Sequence, residues 1–143
     1  VYEKVSKMGL KIVLPIHPRT KNNFKKFKLY NKLKSIKGMI LTDSLGYLSF
    51  MKLVKNSNIV ITDSGGIQEE TTYLQIPCIT VRENTERPVT IIKGTNILCP
   101  LSVEEIIKNV NDRKHLKEKG KIPENWDGKA TKRILDIISN GDF

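Results

Sequence analysis

The sequence has no run of 18 apolar residues, which is about the shortest stretch that spans a bilayer as a helix, so it predicts no membrane-spanning segment. The first ten residues also lack the apolar segment of a secretory signal peptide. Their pattern is that of the last turns of a helix that begins before Val1. We therefore expect the chain to be a fragment of a longer protein.

Cysteine is scarce, and the two that occur, Cys78 and Cys99, each lie inside an apolar run. This placement favours buried, reduced thiols over a disulfide or a metal pair, and it agrees with a cytoplasmic protein. The sequence also lacks G-x-G-x-x-G, G-x-x-x-x-G-K-[ST], G-x-S-x-G and C-x-x-C. These absences argue against a dinucleotide oxidoreductase, a P-loop kinase, a serine hydrolase and a zinc protein. We expect neither a metal nor a cofactor.

Acidic residues are few: 15 aspartates and glutamates face 25 lysines and arginines, which gives a net charge of +10. Lysines cluster in residues 21–37 and 114–121. Nucleic-acid binding is one interpretation of such a charge. However, arginine is scarce, the aromatic residues do not interleave as a stacking platform and no nucleic-acid motif occurs, so the charge favours an anionic ligand over nucleic acid.

Short apolar runs alternate with amphipathic segments along the whole chain, which predicts an α/β fold with a parallel sheet and right-handed crossovers. A length of 143 residues suggests one domain. The predicted strands are 11–16, 39–42, 59–61, 77–81 and 96–99. The predicted helices are 22–35, 46–55, 67–74, a short one ending at 92, one capped by Ser102, 112–119 and one from about 128.

The most informative segment is 58–78, in which a strand, a glycine turn and a helix follow one another. Free backbone N–H groups at a helix N-terminus attract anions, and Gly65 and Gly66 would let a phosphate approach them closely. Ser64 adds a hydroxyl donor, and Glu69 and Glu70 could accept from sugar hydroxyls. The simpler alternative is a plain turn in which Asp63 or Ser64 caps the helix.

Two further segments carry candidate contacts. His17 and Arg19 follow the first strand at its C-terminal end, where open α/β sheets bind ligands; a loop histidine bonded to backbone is the alternative for His17. In helix 46–55, apolar residues at i, i+3, i+4 and i+7 predict a buried face. Those residues are Tyr47, Phe50, Met51 and Val54.

The motif DSGGIQEE at 63–70, followed by TERP at 85–88, resembles the non-hydrolysing UDP-N-acetylglucosamine 2-epimerases. The two motifs together are far more specific than the glycine pair alone. The similarity runs through most of the chain and fades after Ser102. It departs from the family pattern at 71–73, and at Gln75-Ile76, where the family usually has Gly-Lys.

The resemblance implies one Rossmann-like half of a GT-B fold, a parallel sheet with helices on both faces. Residues 1–143 would be the C-terminal, UDP-binding domain, and the N-terminal domain would be absent. By the same resemblance, Ser64, Gly65 and Gly66 would bind the diphosphate and Glu70 the ribose hydroxyls. Arg87 would lie beside the phosphates.

The remaining implied contacts involve the uracil and the cleft between the two domains. Leu45 and Phe50 would flank the uracil, while His17 and Arg19 would line the cleft. The catalytic residues are expected in the absent N-terminal part, so the resemblance implies an isomerase of which this chain alone is inactive. It also implies a homodimer for the full-length protein.

The family reaction eliminates UDP to leave a glycal and adds it back with C2 inverted, which converts UDP-N-acetylglucosamine to UDP-N-acetylmannosamine. Two close alternatives are an epimerase of a diacetamido uronate sugar nucleotide and a hydrolysing epimerase. Two further ones are a GT-B glycosyltransferase and a non-enzymatic basic module that binds RNA or protein.

Overall fold

The computed structural model describes residues 1–114 and 120–141. None of the helices described there combines the length and the apolarity that crossing a bilayer requires. In chain order the elements are α1 (Tyr2–Lys7), β1 (Ile12–Ile16), α2 (Pro18–Lys26), α3 (Tyr30–Lys34), β2 (Met39–Asp43), α4 (Tyr47–Lys55), β3 (Val60–Thr62), α5 (Gly65–Leu74), β4 (Cys78–Thr80), α6 (Val89–Ile92), β5 (Asn96–Leu98), α7 (Val103–Arg113) and α8 (Ala130–Asn140).

All strand pairs in the described residues are parallel, as the alternation of strands and helices predicted. β1 pairs with β2, with Ile12 opposite Met39, and β4 lies between β3 and β5, with Ile79 opposite Ile61 and Ile97. The strands form two hydrogen-bonded sets, of two and three strands, instead of the single sheet that we expected. The parallel α/β class is confirmed.

Helices cover both faces of the three-stranded set, as expected. On one face, Ile79 and Cys99 pack with Val5 of α1 and with Ile106 and Val110 of α7 to form the apolar core. Side chains alternate along a strand, so the neighbours of Ile79 in β4 point to the opposite face. That face lies against α5, and its buried side chains are largely polar: Gln68, Thr71, Thr72, Thr80 and Asn96.

The single predicted helix over 22–35 is wrong. The structure has two shorter helices, α2 and α3, separated at Lys28, whose φ of 56° is left-handed and cannot continue a right-handed helix. The apolar residues of this segment would form the inner face of one helix, but only Leu33 is buried, whereas Phe27 is 64% exposed. A segment this rich in lysine has too few apolar side chains to hold one long helix against the sheet.

Two boundaries near the C-terminus also differ from expectation. The predicted helix over 112–119 begins inside α7, which extends to Arg113, and its residues 115–119 lie outside the described part of the chain. The last helix begins at Ala130, two residues after the predicted start, because Gly128 has a left-handed φ of 75°. The capping of α7 by Ser102 is confirmed: its Oγ accepts the N–H of Glu105 at 3.3 Å.

At the C-terminus of α5, the backbone conformation shows why glycine suits the position that Gln75 occupies. Gln75, at the position where the family usually has glycine, adopts a left-handed conformation with φ 59°. This conformation costs a non-glycine residue about 1 kcal/mol. The Gln75 side-chain amide donates to the Thr72 carbonyl at 2.7 Å, which offsets part of that cost.

We expect Gln75→Gly to raise the free energy of unfolding by about 0.5–1 kcal/mol, because glycine relieves the left-handed strain at a helix C-terminus. Gln75→Ala should lower it by about 1 kcal/mol, because alanine keeps the strain and loses the hydrogen bond. Urea unfolding of the three proteins measures both. A glycine variant less stable than the parent would mean that the side-chain hydrogen bond outweighs the strain.

Candidate functional site

The predicted site residues all follow the C-terminal ends of parallel strands, where open α/β sheets bind ligands. β1 leads to His17 and Arg19, and β2 leads to Leu45 and Phe50. β3 leads to the N-terminus of α5, and β4 leads to the loop that carries Arg87. The topology therefore places candidates that are far apart in the sequence at the C-terminal edge of the sheet to which each strand belongs.

The N-terminus of α5 is uncapped by a side chain. Gly65 and Gly66 are the first two helical residues, so the helix begins two residues before the predicted Ile67. Ser64 occupies the N-cap position but makes no side-chain capping bond, which contradicts the plain-turn alternative. Its own N–H donates to Thr62 Oγ1 at 3.0 Å. The N–H groups of the first turn thus have no partner within the helix and remain available to an anion.

The two glycines differ in the space around them. A Cβ at Gly66 would have nothing within 4 Å, whereas a Cβ at Gly65 would lie 3.1 Å from Glu86 Oε1. The described fold therefore has no steric need for glycine at position 66. Close approach of a ligand to the backbone is a physical reason for a side chain to be absent there.

Glu86 is a site residue to which sequence reasoning assigned no role, although it belongs to the TERP motif. Its carboxylate lies beside the first turn of α5 and forms an ion pair with Arg82, with Nη1 3.1 Å from Oε2. The pKa of Glu86 is lowered, first by a hydrogen bond to its own backbone and then by the Arg82 guanidinium. An anion that binds α5 therefore meets a negative charge that Arg82 partly neutralises.

The loop after β4 is fastened to α5 at several points. Thr85 Oγ1 donates to Gln68 Oε1 at 2.7 Å and accepts the N–H of Arg87 at 3.0 Å. Arg87 Nε lies 3.0 Å from Glu69 Oε1, an ion pair by distance that lacks hydrogen-bond geometry. These contacts hold Arg87 against the first turns of α5.

Gln68 is the centre of a buried polar network that sequence analysis missed. It is fully buried, and its Oε1 also accepts the side-chain amide of Asn96 at 3.2 Å. Asn96 in turn accepts the hydroxyl of Thr80 at 2.7 Å and donates to Thr90 Oγ1 at 3.2 Å. Within the described residues Gln68 Nε2 has no hydrogen-bond partner, but the bonds made by Gln68 Oε1 and Asn96 fix how α5, β4 and β5 meet.

Glu70 is held by an unexpected partner. The hydroxyl of Tyr47, the first residue of α4, donates to Glu70 Oε1 at 3.1 Å. The predicted buried position of Tyr47 is wrong, since its side chain is 65% exposed. A cavity of about 630 Å³ between α4, α5 and Trp126 is bordered by both residues of this pair. The neighbouring carboxylate raises the pKa of Tyr47 through that hydrogen bond.

The other candidates are less closely tied to α5. His17 caps α2, because its Nδ1 accepts the N–H of Arg19 at 3.3 Å, which is the backbone-bonded alternative. Both residues are exposed, and within the described residues no hydrogen bond or ion pair links them to α5. Leu45 is exposed and Phe50 half-buried where β2 leads into α4, and α4 packs against α5.

Comparison with known proteins agrees with this arrangement. The family model described as UDP-N-acetylglucosamine 2-epimerase matches residues 2–139. A UDP-N-acetylglucosamine 2-epimerase from Methanocaldococcus jannaschii is 42% identical over 143 residues, which is 100% of this chain and 39% of that protein. A UDP-2,3-diacetamido-2,3-dideoxy-D-glucuronate 2-epimerase from Pseudomonas aeruginosa is 30% identical over 130 residues, 90% of this chain and 34% of that protein.

A solved structure gives the same result for the fold. The crystal structure of the M. jannaschii UDP-GlcNAc 2-epimerase in complex with UDP-GlcNAc and UDP superimposes with a TM-score of 0.85 at 43% identity. The superposition covers 98% of this chain and 38% of that one. The chain therefore spans about two fifths of the length of the relatives that it matches.

Proposed function

The chain belongs to the UDP-N-acetylglucosamine 2-epimerase family, and we propose that it is the C-terminal, UDP-binding domain, residues 1–143, of such an enzyme. The longer protein would interconvert UDP-N-acetylglucosamine and UDP-N-acetylmannosamine. The observation that carries this proposal is the uncapped N-terminus of α5, which begins with two glycines and has Glu70 in its second turn.

The order of these groups along α5 suits a nucleoside diphosphate. The diphosphate would bind at the first turn, where N–H groups and the helix dipole favour negative charge, with Ser64, Gly65 and Gly66 as its contacts. Glu70, one turn further, would repel a phosphate but suits the hydroxyls of a ribose. Arg87, held against α5 by Glu69, would contribute positive charge beside the phosphates.

In the proposed reaction, this domain holds UDP while the sugar is eliminated and added back. The UDP that leaves carries an additional negative charge, which the N–H groups of α5 and Arg87 would stabilise. Leu45 and Phe50 would flank the uracil, and His17 and Arg19 would line the cleft. The proton transfers would fall to residues outside this chain, so we propose that the chain alone binds UDP without epimerising it.

The partner of this domain would be the remainder of the same protein. The side chains of Ile134, Leu135, Ile137 and Ile138 in α8 are all at least half exposed, which gives an apolar helix face on which another domain could pack. The two free, buried cysteines accord with the expected cytoplasmic location. Assembly of the longer protein into a homodimer stays a prediction from the family resemblance.

Titration of the chain with UDP, followed by amide NMR shifts, tests the proposal. Because only half of a cleft is present, we expect a Kd of about 0.1–1 mM. The shifts should centre on residues 64–70. Gly66→Val should weaken UDP at least tenfold, because its side chain would cover the first turn at a position where a Cβ has no atom of the fold within 4 Å.

Two controls accompany that titration. The unfolding free energy of Gly66→Val should match the parent, and uridine, which lacks phosphates, should bind both proteins equally. If several millimolar UDP produces no shifts near α5, the proposed nucleotide site is wrong. Salt-sensitive RNA binding without a response to UDP would instead favour a basic binding module.

The 30% identical P. aeruginosa relative supports a second candidate, an epimerase of a diacetamido uronate sugar nucleotide. Both candidates use the same UDP-binding domain, so UDP titration does not separate them. Assays of the longer protein with both UDP-sugars would do so. Net release of UDP in those assays would indicate a hydrolysing epimerase, and transfer of the sugar to an acceptor would indicate a glycosyltransferase.

A further inference from the structure

The hydrogen bond between Tyr47 and Glu70 is the only one that the described residues provide to the Glu70 carboxylate. The other carboxylate oxygen, Oε2, is shielded from solvent and has no hydrogen-bond partner among these residues. A shielded, unpaired carboxylate oxygen is costly unless some group supplies a donor. The single bond from Tyr47 therefore has an unusually large influence on how this side chain is oriented.

Tyr47 makes this contact from an exposed position, although the sequence pattern predicted that it would be buried. Helical periodicity assigned it to the same buried face as Val54, but Val54 is buried and Tyr47 is mostly exposed. Tyr47 is the first residue of α4, directly after Gly46, which has an extended backbone. Tyr47 therefore lies at the N-terminus of α4, and its hydroxyl reaches across to the second turn of α5.

We propose that Tyr47 is a positioning residue for the nucleotide site: its hydroxyl fixes the Glu70 carboxylate in the orientation that accepts the ribose hydroxyls of a uridine diphosphate. This inference rests on the proposed function, because it assigns the ribose to Glu70. It goes beyond that function by adding a residue that need not touch the ligand.

The chemistry of the pair supports positioning over competition. A carboxylate oxygen has two lone-pair sites, and the bond from Tyr47 occupies one of those on Glu70 Oε1, so this oxygen can still accept from a ribose hydroxyl. A free glutamate side chain samples several rotamers, and fixing one of them in advance lowers the entropy that ligand binding must remove. The pKa of Tyr47 is raised by Glu70, so the phenol keeps its proton and remains a donor at neutral pH.

The test is Tyr47→Phe, which removes only the hydroxyl. We expect UDP to bind about fivefold to tenfold more weakly, which is the net effect of losing one typical hydrogen bond. The variant should bind 2′,3′-dideoxy-UDP as well as the parent does, because that ligand has no hydroxyls for Glu70 to accept. In a Glu70→Ala background, Tyr47→Phe should have no further effect on UDP.

Tyr73→Phe is the matched control, since Tyr73 borders the same cavity and makes no hydrogen bond through its hydroxyl in the described residues. It should leave the affinity for UDP unchanged. An equal loss for UDP and dideoxy-UDP in Tyr47→Phe would overturn the proposal, because a general structural role does not discriminate between them.

The remaining outcomes are also decisive. Unchanged binding of UDP by Tyr47→Phe would show that Glu70 needs no positioning, and tighter binding would show that Tyr47 competes with the ribose. If the parent chain binds UDP and Tyr47→Phe binds it equally well or more tightly, this inference is wrong but the proposed function stands. A parent chain that does not bind UDP removes the proposed function and this inference together.

Discussion

Gly94→Ala is expected to lower the free energy of unfolding by about 3 kcal/mol, at the upper end of the cost of overpacking a buried site. A Cβ at this position would lie 2.4 Å from both Thr72 Oγ1 and the Thr90 carbonyl oxygen. The Thr90 carbonyl belongs to the backbone of α6 and the Thr72 side chain is fully buried, so the clash is relieved only by shifting α6 and repacking Thr72. Urea unfolding monitored by far-ultraviolet circular dichroism measures the effect.

Gly46→Ala provides the control for this prediction. A Cβ at Gly46 would have nothing within 4 Å, and its backbone conformation, φ −64° and ψ 155°, is open to any residue. Its unfolding free energy should change by less than about 1 kcal/mol, the cost of a poorer N-cap. If Gly94→Ala proved as stable as Gly46→Ala, the packing of α5 and α6 around Gly94 would be looser than the structure indicates.

Gly94 also shows what sequence patterns cannot provide. Next to a predicted strand, a glycine suggests a turn that needs a left-handed conformation, but the φ of Gly94 is not left-handed. Its role is to allow close approach by Thr72 and Thr90, and Gly120 packs against it as well. Such a requirement depends on residues far apart in the chain, so it has no local signal.

The order and type of most elements were predictable, because strands and helices leave periodic apolar patterns. The five strands lie within two residues of their predicted bounds, and the parallel pairing followed from the helix after each strand. The prediction failed where that pattern is weak. Residues 22–35 have the lysine content of a solvated helix, and the left-handed Lys28 that divides them has no local sequence signal.

The part of the candidate site that a single sequence motif encodes was predictable. The DSGG motif predicted the N-terminus of α5, because glycines at a strand-to-helix junction have a direct physical meaning. Tyr47 escaped detection because helical periodicity placed it in the core, while its actual partner, Glu70, lies 23 positions away. A polar atom at the end of an apparently apolar stripe was the one signal that could have suggested a bonding role.

Gln68→Leu is expected to lower the free energy of unfolding by about 2–4 kcal/mol, even though leucine is apolar and of similar size. Gln68 is fully buried, and its Oε1 accepts from the half-buried Thr85 and from the buried Asn96. Leucine would leave both donors without that acceptor, and a buried unpaired donor costs about 1–3 kcal/mol. Urea unfolding measures the loss. A variant within 1 kcal/mol of the parent would show that the network rearranges without it.

A double-mutant cycle with Thr85→Val tests whether this network also holds the loop that carries Arg87. Thr85 bonds both Gln68 and the Arg87 N–H, so the two substitutions should be coupled by about 0.5–3 kcal/mol, as expected for residues in one network. The exposed Thr131 of α8 provides the control, and Thr131→Val should add to Gln68→Leu without coupling. Additive losses for Thr85 and Gln68 would mean that the two residues contribute to stability independently and that their hydrogen bond does not hold the loop. Coupled losses, together with weaker UDP binding by Gln68→Leu, would show that a side chain facing away from solvent sets the position of Arg87, the arginine that we propose lies beside the phosphates.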